Sequence, residues 1–344
     1  MDSKLTIPTQ IVTKSLKIRL LKNIRDLEID FLGSELTAIM GVNGSGKSTV
    51  IHALACCYKP QPDTDQHDWK FREFFTPNPD SLWQGSSFSM FHDFRIGQTL
   101  HNDLEVKYSK EQDRWMPRYA TRPPRYVSFI GIESCVPVIE IEKRQSFINY
   151  STRTVTSDLA NSIKEKAGAI MNRDYTSYNL HTTQKSRYIG VEQDGCRYSA
   201  LSMGAGEQRI FHILEAVFEA PKYSLILIDE IDLLLHVSAL KKLLLILKER
   251  AYAKKLQIIF TTHSPLVLNL GNLINIRYLY QTPERTLCLK EIKPDIIYHF
   301  TGENQRPLEI FVEDSLSKAI VKNICERLQM SRYNETPRSK LRGI

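Results

Sequence analysis

A glycine-rich segment at residues 41–49 constrains this chain more than any other feature of its sequence. It reads Gly-Val-Asn-Gly-Ser-Gly-Lys-Ser-Thr, between the mostly apolar runs 36–40 and 50–55. The order strand, glycine-rich loop, helix is typical of a phosphate-binding P-loop, whose backbone N–H groups surround a polyphosphate. The alternative is a glycine-rich turn that binds nothing, but the complete motif in this context favours a nucleotide site.

The P-loop motif assigns a role to each of its side chains. Lys47 should reach the outer phosphates, and the hydroxyl of Ser48 should hold Mg²⁺. A helix that begins at Lys47 or Ser48 would point its positive end at the anion. The residues predicted to contact the nucleotide here are Gly41, Asn43, Gly44, Ser45, Gly46, Lys47, Ser48 and Thr49.

Length and composition indicate an ordinary folded protein of about two lobes. The chain has 344 residues, and its net charge of +7 permits a nucleic-acid or acidic-protein partner without demonstrating one. No apolar run reaches the roughly 18 residues of a membrane span, and charges occur throughout residues 1–30, so we expect a cytoplasmic protein with no membrane contact. The six cysteines form no C-x-x-C pair and are expected to be reduced thiols.

Hydrophobic periodicity predicts an α/β fold. Residues 11–31 alternate like two antiparallel strands with a turn near 22–25, and 87–94 and 103–108 read as further antiparallel strands. After residue 200, buried strands alternate with helices, which predicts a mostly parallel sheet flanked by helices. We expect the polar segment 110–124, with Arg114, Arg118 and Arg122, to be an exposed hairpin tip or loop.

Two acids end the apolar run 225–228 and supply the second nucleotide element. Asp229 and Glu230 would lie at the carboxyl edge of the parallel sheet, beside the P-loop. Asp229 would hold Mg²⁺, directly or through water, and Glu230 would act as general base on the attacking water. A strand that ends in acids is common in isolation, but together with the P-loop the pair predicts a hydrolytic site.

The segment 202–208, Ser-Met-Gly-Ala-Gly-Glu-Gln, is a third element. Two glycines before a helix form a second anion-binding N-terminus, so we predict nucleotide contacts from Ser202, Gly204, Gly206 and Glu207. The alternative is a plain helix start with Ser202 as its N-cap. The position shortly before the Asp229-Glu230 strand favours a ligand role.

These motifs resemble those of ABC-type and SMC-type ATPase heads, and more narrowly the OLD family of anti-phage defence ATPases. The resemblance implies that segment 202–208 is the signature motif, which contacts the ATP of the opposite subunit. It also implies that His263 is the switch histidine at the terminal phosphate and that Gln84 joins magnesium and the attacking water. Residues 231–237 resemble the D-x-x-L-H-P segment of SMC-like and OLD-family proteins, with Val237 in place of proline, so Asp232 and His236 should lie at a dimer interface.

The C-terminal region extends the resemblance. Residues 308–314, with Glu313, and a helix over 315–328 look like the first strand and helix of a TOPRIM nuclease, whose later Asp-x-Asp pair does not follow in residues 315–344. The predicted organisation is an ABC-type ATPase domain over 1–300, in which 60–200 is an inserted antiparallel and helical subdomain. An incomplete TOPRIM-like unit (301–330) and a polar basic tail (331–344) follow.

The function implied by the resemblance is an ATP hydrolase that forms a homodimer, or a higher oligomer, around two ATP molecules with Mg²⁺. It would control DNA binding or a partner nuclease in phage defence, within an OLD-type or retron-type system. Three alternatives are a RecF/SMC-like DNA-repair ATPase, a transporter subunit, which the long 60–200 insertion disfavours, and a scaffold that binds nucleotide but barely hydrolyses it.

Overall fold

A computed structural model describes residues 10–62, 64–142, 147–290, 312 and 314–327. The strands in chain order are β1 (Gln10–Leu21), β2 (Ile24–Asp30), β3 (Leu36–Gly41), β4 (Ser86–Ile96), β5 (Thr99–Lys110), β6 (Trp115–Met116), β7 (Val127–Ile130), β8 (Ser151–Thr154), β9 (Ser177–Thr182), β10 (Arg187–Gln193), β11 (Cys196–Ser199), β12 (Leu225–Ile228), β13 (Gln257–Thr261), β14 (Asn275–Gln281) and β15 (Thr286–Leu289). The α-helices are α1 (Lys47–Cys56), α2 (Phe71–Phe74), α3 (Val138–Ile141), α4 (Asp158–Met171), α5 (Ala205–Glu219), α6 (Val237–Lys254) and α7 (Ser315–Arg327).

A six-stranded sheet in the order β15-β14-β3-β13-β12-β7 positions the predicted motifs. All its pairings are parallel except that of β14 with β15. The P-loop strand β3 is buried along its whole length, which explains its nearly continuous apolar sequence. Because parallel strands end at one edge, the segments after β3, β12 and β13 meet there.

Alternate residues of the central strands face two separate hydrophobic cores. Ala38, Ile228 and Phe260 belong to the core formed with α4, α5 and α6. Ile39 and Ile259 point the other way, into the core formed with α1 and the N-terminal strands. The two-residue periodicity of strands therefore divides the apolar side chains between the two faces of the sheet.

Two antiparallel sheets accompany the central one. The first has the order β2-β1-β4-β5-β6, so the predicted N-terminal strand pair is confirmed, with Ile24 opposite Leu21 at its turn. The second has the order β11-β10-β9-β8, and its β10–β11 turn falls at Asp194-Gly195. Strands from residues 60–200 contribute to all three sheets, since β7 lies in the central sheet beside β12.

The prediction that residues 110–124 form an exposed tip is wrong in part. Arg114 and Arg118 are exposed, but Arg122 is fully buried. Its guanidinium donates to the carbonyl oxygen of Cys56 at 2.7 Å and to the carboxylate of Asp68. Helix α1 ends at Cys56, and the last carbonyls of a helix have no partner within it, so an arginine from a distant segment satisfies this one.

The C-terminal predictions are only partly within the described residues. Helix α7 agrees with the helix expected over 315–328. Glu313 and the tail 331–344 lie outside the described residues, as does nearly all of the strand expected at 308–314. Across the residues that are described, none of the helices is both long enough and apolar enough to span a membrane.

The buried side chain of His92 should make the stability of the fold depend on pH. It lies on β4 and is 3% exposed, and burial together with the nearby Arg125 lowers its pKa to about 4, although Asp93 opposes the shift. In the unfolded chain this histidine would take up its proton near pH 6.5. Stability should therefore be lost as the pH falls from about 6.5 to about 4, by up to about 1.4 kcal/mol per pH unit.

We predict that the substitution His92→Phe makes the protein less sensitive to acid. When the pH is lowered from 7 to 5, the free energy of unfolding of this variant should fall by about 2 kcal/mol less than that of the wild type. Denaturant titrations at both pH values measure this, and equal losses in the two proteins would contradict it.

Candidate nucleotide-binding site

The P-loop adopts a conformation that needs its glycines. Gly41, Gly44 and Gly46 all have positive φ. A Cβ on Gly41 would lie 2.6 Å from the carbonyl oxygen of Leu279 on β14, and one on Gly46 would lie 2.6 Å from the side chain of Ile24. These positions therefore combine a left-handed backbone with close packing, which only glycine tolerates.

The side chain of Lys47 folds back onto the P-loop. Its ammonium donates to the carbonyl oxygens of Gly41 and Val42, each at 3.0 Å. Burial lowers the pKa of Lys47, while the nearby carboxylates of Glu230, Asp229 and Asp232 oppose that shift. A cation held by neutral carbonyl oxygens can transfer its donors to phosphate oxygens.

The turn between β1 and β2 adds a contact that the sequence analysis did not predict. The side-chain amide of Asn23 donates a hydrogen bond to the carbonyl oxygen of Gly44 in the P-loop. Next to it, the ammonium of Lys22 lies 4.9 Å from the centre of the Phe75 ring and 5.8 Å from that of Trp83. The N-terminal hairpin therefore supports the loop directly.

The predicted magnesium ligands Ser48 and Asp229 lie together. The Ser48 hydroxyl donates to Asp229 Oδ1 at 3.1 Å, and Asp229 is 2% exposed at the end of β12. A serine hydroxyl and a carboxylate in contact are hard oxygen donors of the type that Mg²⁺ uses beside phosphates, so this pair fits the ion. Gln84, the third predicted ligand, lies in the exposed turn before β4, and the carboxylate of Asp229 accepts hydrogen bonds from Ser48 and Thr261 instead.

Thr261 organises the acid pair. Its hydroxyl donates to Asp229 Oδ1 at 2.6 Å and accepts from the backbone N–H of Glu230 at 2.7 Å. Glu230 has φ of 50°, a left-handed conformation that non-glycine residues adopt only when their surroundings enforce it. The sequence motifs assigned no role to Thr261, because its bridging role depends on Asp229 and Glu230, which lie more than 30 residues earlier in the chain.

His263 lies close to Lys47 and the acids. Its backbone N–H donates to the carboxylate of Asp232 at 3.3 and 3.4 Å. Burial, and then the charge of Lys47, lowers the pKa of the His263 imidazole, so this side chain is neutral at neutral pH. His236 is exposed and caps α6, since its Nδ1 accepts from the backbone N–H of Ser238.

The segment 202–208 divides into an exposed and a buried part. Ser202 and Gly204 are exposed immediately before α5. The Glu207 carboxylate is buried and accepts from Tyr175 at 2.6 Å, Tyr198 at 2.9 Å and Arg173 at 2.9 Å. Glu207 thus anchors the start of α5 to β11 and to the segment between α4 and β9, and a nucleotide contact by this side chain would have to displace three partners.

Gly206 allows the first turn of α5 to pack closely against a neighbouring segment. A Cβ at this position would lie 2.6 Å from the carbonyl oxygen of Leu234, whereas one on Gly204 would meet nothing within 4 Å. The first turn of α5 therefore lies directly against the segment 231–237. The segment 231–237, which carries the exposed side chains of Leu234 and Val237, thus packs on the helix that follows the exposed Ser202 and Gly204.

Comparison with known families identifies the chain. Residues 36–269, about two thirds of the sequence, match the family described as AAA domain, putative AbiEii toxin, Type IV TA system. The chain belongs to this AAA-domain family. The strand order confirms the predicted α/β architecture, with N-terminal antiparallel strands and a mostly parallel sheet flanked by helices, and the matched residues 36–269 include both the P-loop and the acid pair.

Individual relatives are distant. The nisin transport ATP-binding protein NisT of Lactococcus lactis subsp. lactis is 35% identical over 71 residues, which are 21% of this chain and 11% of that protein. The SMC head domain from Thermotoga maritima is 15% identical, with a TM-score of 0.48 over 82% of this chain and 99% of that one. A dimeric ATP-binding cassette bound to ADP and Pi is 15% identical, with a TM-score of 0.38 over 78% and 94% of the two chains.

The Thr261 bridge predicts a difference between two substitutions. Thr261→Val leaves Asp229 Oδ1 and the Glu230 N–H without this partner, so we expect a loss of about 1–3 kcal/mol in the free energy of unfolding. Thr261→Ser keeps the hydroxyl and should lose less than about 1 kcal/mol. Chemical denaturation measures both, and equal losses would show that the hydroxyl is not what stabilises the turn.

The Gly206 contact predicts a second difference. Gly206→Ala adds a Cβ against the Leu234 carbonyl and should destabilise the protein by at least about 1 kcal/mol, although alanine favours a helix. Gly204→Ala, in open space at the N-cap two residues away, is the matched control and should cost less than Gly206→Ala, no more than about 0.5–1 kcal/mol for the less favourable cap. Thermal unfolding of the two variants distinguishes them. A Gly206→Ala variant as stable as its control would contradict the close contact.

Proposed function

We propose that this chain binds ATP with Mg²⁺ and hydrolyses it to ADP and phosphate. The observation that carries the proposal is the hydrogen-bonded group of Ser48, Asp229 and Thr261 at one sheet edge, with Lys47 and Glu230 beside it. These five groups come from three separate segments of the sequence and meet where a polyphosphate on the P-loop would end. A glycine-rich turn that binds nothing gives no reason for a buried lysine and two carboxylates to meet there.

The proposed roles follow from position. Backbone N–H groups of residues 41–49 and the ammonium of Lys47 bind the phosphates, and Ser48 and Asp229 hold Mg²⁺, which neutralises charge on the phosphate oxygens. Glu230 takes a proton from the water that attacks the terminal phosphorus, as the bond to the ADP oxygen breaks. Neutral His263 donates a hydrogen bond to the terminal phosphate. Gln84 remains a proposed ligand, and its exposed turn would have to approach the site.

The ATP site is proposed to be completed by a second copy of the chain. Ser202 and Gly204 are exposed just before α5, and Leu234 and Val237 are exposed in the segment that packs against Gly206 of this helix. Val42 is exposed on the P-loop itself. Exposed apolar side chains beside a polar ligand site are typical of a surface that another protein covers. Two chains joined head to tail would place the exposed signature residues of one against the ATP of the other.

The output is proposed to be control of DNA binding or of a nuclease in phage defence, and an OLD-type or retron-type system remains our specific prediction. Support comes from the family description, which names a putative toxin of a toxin–antitoxin system, and from the net charge of +7, which suits a nucleic-acid partner. Phage plating efficiency on cells that carry the wild type or Glu230→Gln tests this output. The DNA-repair alternative instead predicts unchanged plating and altered survival after DNA damage.

Two substitutions separate binding from hydrolysis. Lys47→Ala removes the phosphate cation and should abolish both ATP-driven dimerisation and turnover. Glu230→Gln keeps binding but removes the base, so it should dimerise with ATP and Mg²⁺ while turnover falls by roughly 100-fold or more. Light scattering coupled to size exclusion and a phosphate-release assay measure the two properties.

The matched control is Lys241→Ala, which removes an exposed lysine of α6 and should leave both properties unchanged. If the Lys47→Ala protein dimerises with ATP as the wild type does, the ATP-sandwich proposal is wrong. If Glu230→Gln hydrolyses ATP at the wild-type rate, Glu230 is not the base.

A further inference from the structure

Arg209 is a buried arginine that none of the predicted motifs uses. It lies in the first half of α5, seven residues after Ser202, with no exposed surface. Burial lowers the pKa of Arg209, while the carboxylates of Asp229, Glu230 and Asp232 are among the groups that oppose the shift. A buried guanidinium is costly unless its donors are satisfied, so its partners show what it holds.

The two terminal nitrogens of Arg209 point to different segments. Nη2 donates to the carbonyl oxygen of Asp229 at 2.8 Å and to that of Glu230 at 3.5 Å. Nη1 donates to the carbonyl oxygen of Gly131 at 3.1 Å and to the hydroxyl of Ser134. The guanidinium thus joins the ends of β12 and β7, two adjacent strands of the central sheet.

Arg209 holds the turn that contains Asp229 and Glu230. Glu230 has a left-handed backbone conformation, which Thr261 supports through the N–H of Glu230 and Arg209 supports through the carbonyl oxygens. The direction of the Glu230 side chain depends on that conformation. Removing the support from one side would allow the turn to relax and the carboxylate to leave its position near Lys47.

Gln208, the residue before Arg209, holds the loop that precedes α5. Gln208 donates to the carbonyl oxygens of Ala200 and Met203, at 2.7 and 3.0 Å, and accepts from the backbone N–H of Val138 at 3.1 Å. Gln208 therefore holds the loop that carries Ser202. Adjacent side chains of one helix thus contact the signature loop on one side and the acid pair on the other.

We propose that Arg209 is a positioning residue for Glu230, which fixes the acid-pair turn and ties it to the helix that follows the signature loop. The inference rests on the proposed ATPase function, because it assigns Glu230 the role of base. Arg209 does not touch the nucleotide. Its loss should therefore lower the rate of the chemical step and leave ATP binding intact.

Arg209→Lys is the principal test, because one ammonium keeps the charge but cannot reach the two pairs of acceptors that the planar guanidinium bridges. We expect kcat for ATP hydrolysis to fall about 10-fold or more while KM and the directly measured Kd for a fluorescent ATP analogue change by less than about twofold. A purely structural role would lower the fraction of active protein, and with it the number of binding sites found in the titration. Here the number of sites should be unchanged.

Ser134→Ala is the milder second variant, in case Arg209→Lys fails to fold. It removes one acceptor of Arg209 without disturbing the guanidinium, and kcat should fall by roughly twofold to fivefold at unchanged KM. Arg250→Lys is the matched control, since Arg250 holds the other end of α5 by donating to the carbonyl oxygen of Phe218 at 2.6 Å. Its kcat should equal that of the wild type.

Each outcome distinguishes the two levels of the proposal. A wild type that binds ATP but does not hydrolyse it overturns the proposed function itself. An active wild type with unchanged kcat in both Arg209→Lys and Ser134→Ala overturns only the role of Arg209. A loss in Arg250→Lys equal to that in Arg209→Lys, or an increase in Kd that accounts for the loss of activity, also rejects positioning of Glu230.

Discussion

The hydroxyl of Thr261, at the end of β13, connects the helix α1 with the turn after β12 that carries Asp229 and Glu230. Through Asp229 it reaches Ser48 on α1, and through the N–H of Glu230 it supports a residue in a left-handed backbone conformation. This geometry is possible because β13 lies between β3 and β12, with Thr261 beside Ile39 and Phe260 beside Ile228. The lysine and arginine beside the acids then balance a concentration of negative charge that burial alone would not allow.

The local parts of this arrangement could be predicted from sequence. The P-loop, the apolar strand before Asp229 and the hairpins are each encoded within a few consecutive residues, by periodicity and turn chemistry. Parallel pairing then requires their ends to meet at one edge, so the proximity of Ser48 and Asp229 follows from fold class alone. The family match agrees with that fold class.

The rest depended on partners distant in sequence. Glu207 resembles a ligand in its motif, yet three side chains from other elements occupy its carboxylate. Arg122 occurs in a polar, proline-containing stretch, and only the unpaired end of α1 explains its burial. For Arg209 the sequence offers one clue, since this arginine directly precedes the apolar residues 210–211 of a buried helix. Its acceptors at Gly131 and Asp229 are main-chain oxygens, which residue types do not reveal.

The pairing of β3 also determines when the site can exist during synthesis. The P-loop strand is made first among the central strands, yet its two neighbours, β13 and β14, are made more than 200 residues later. At about 5–20 residues per second, a ribosome needs at least about ten seconds to pass from one to the other. Throughout that interval the nascent chain carries the complete P-loop motif but neither the Thr261 bridge nor the Leu279 contact. The candidate nucleotide site therefore cannot take this geometry until the central sheet is nearly complete.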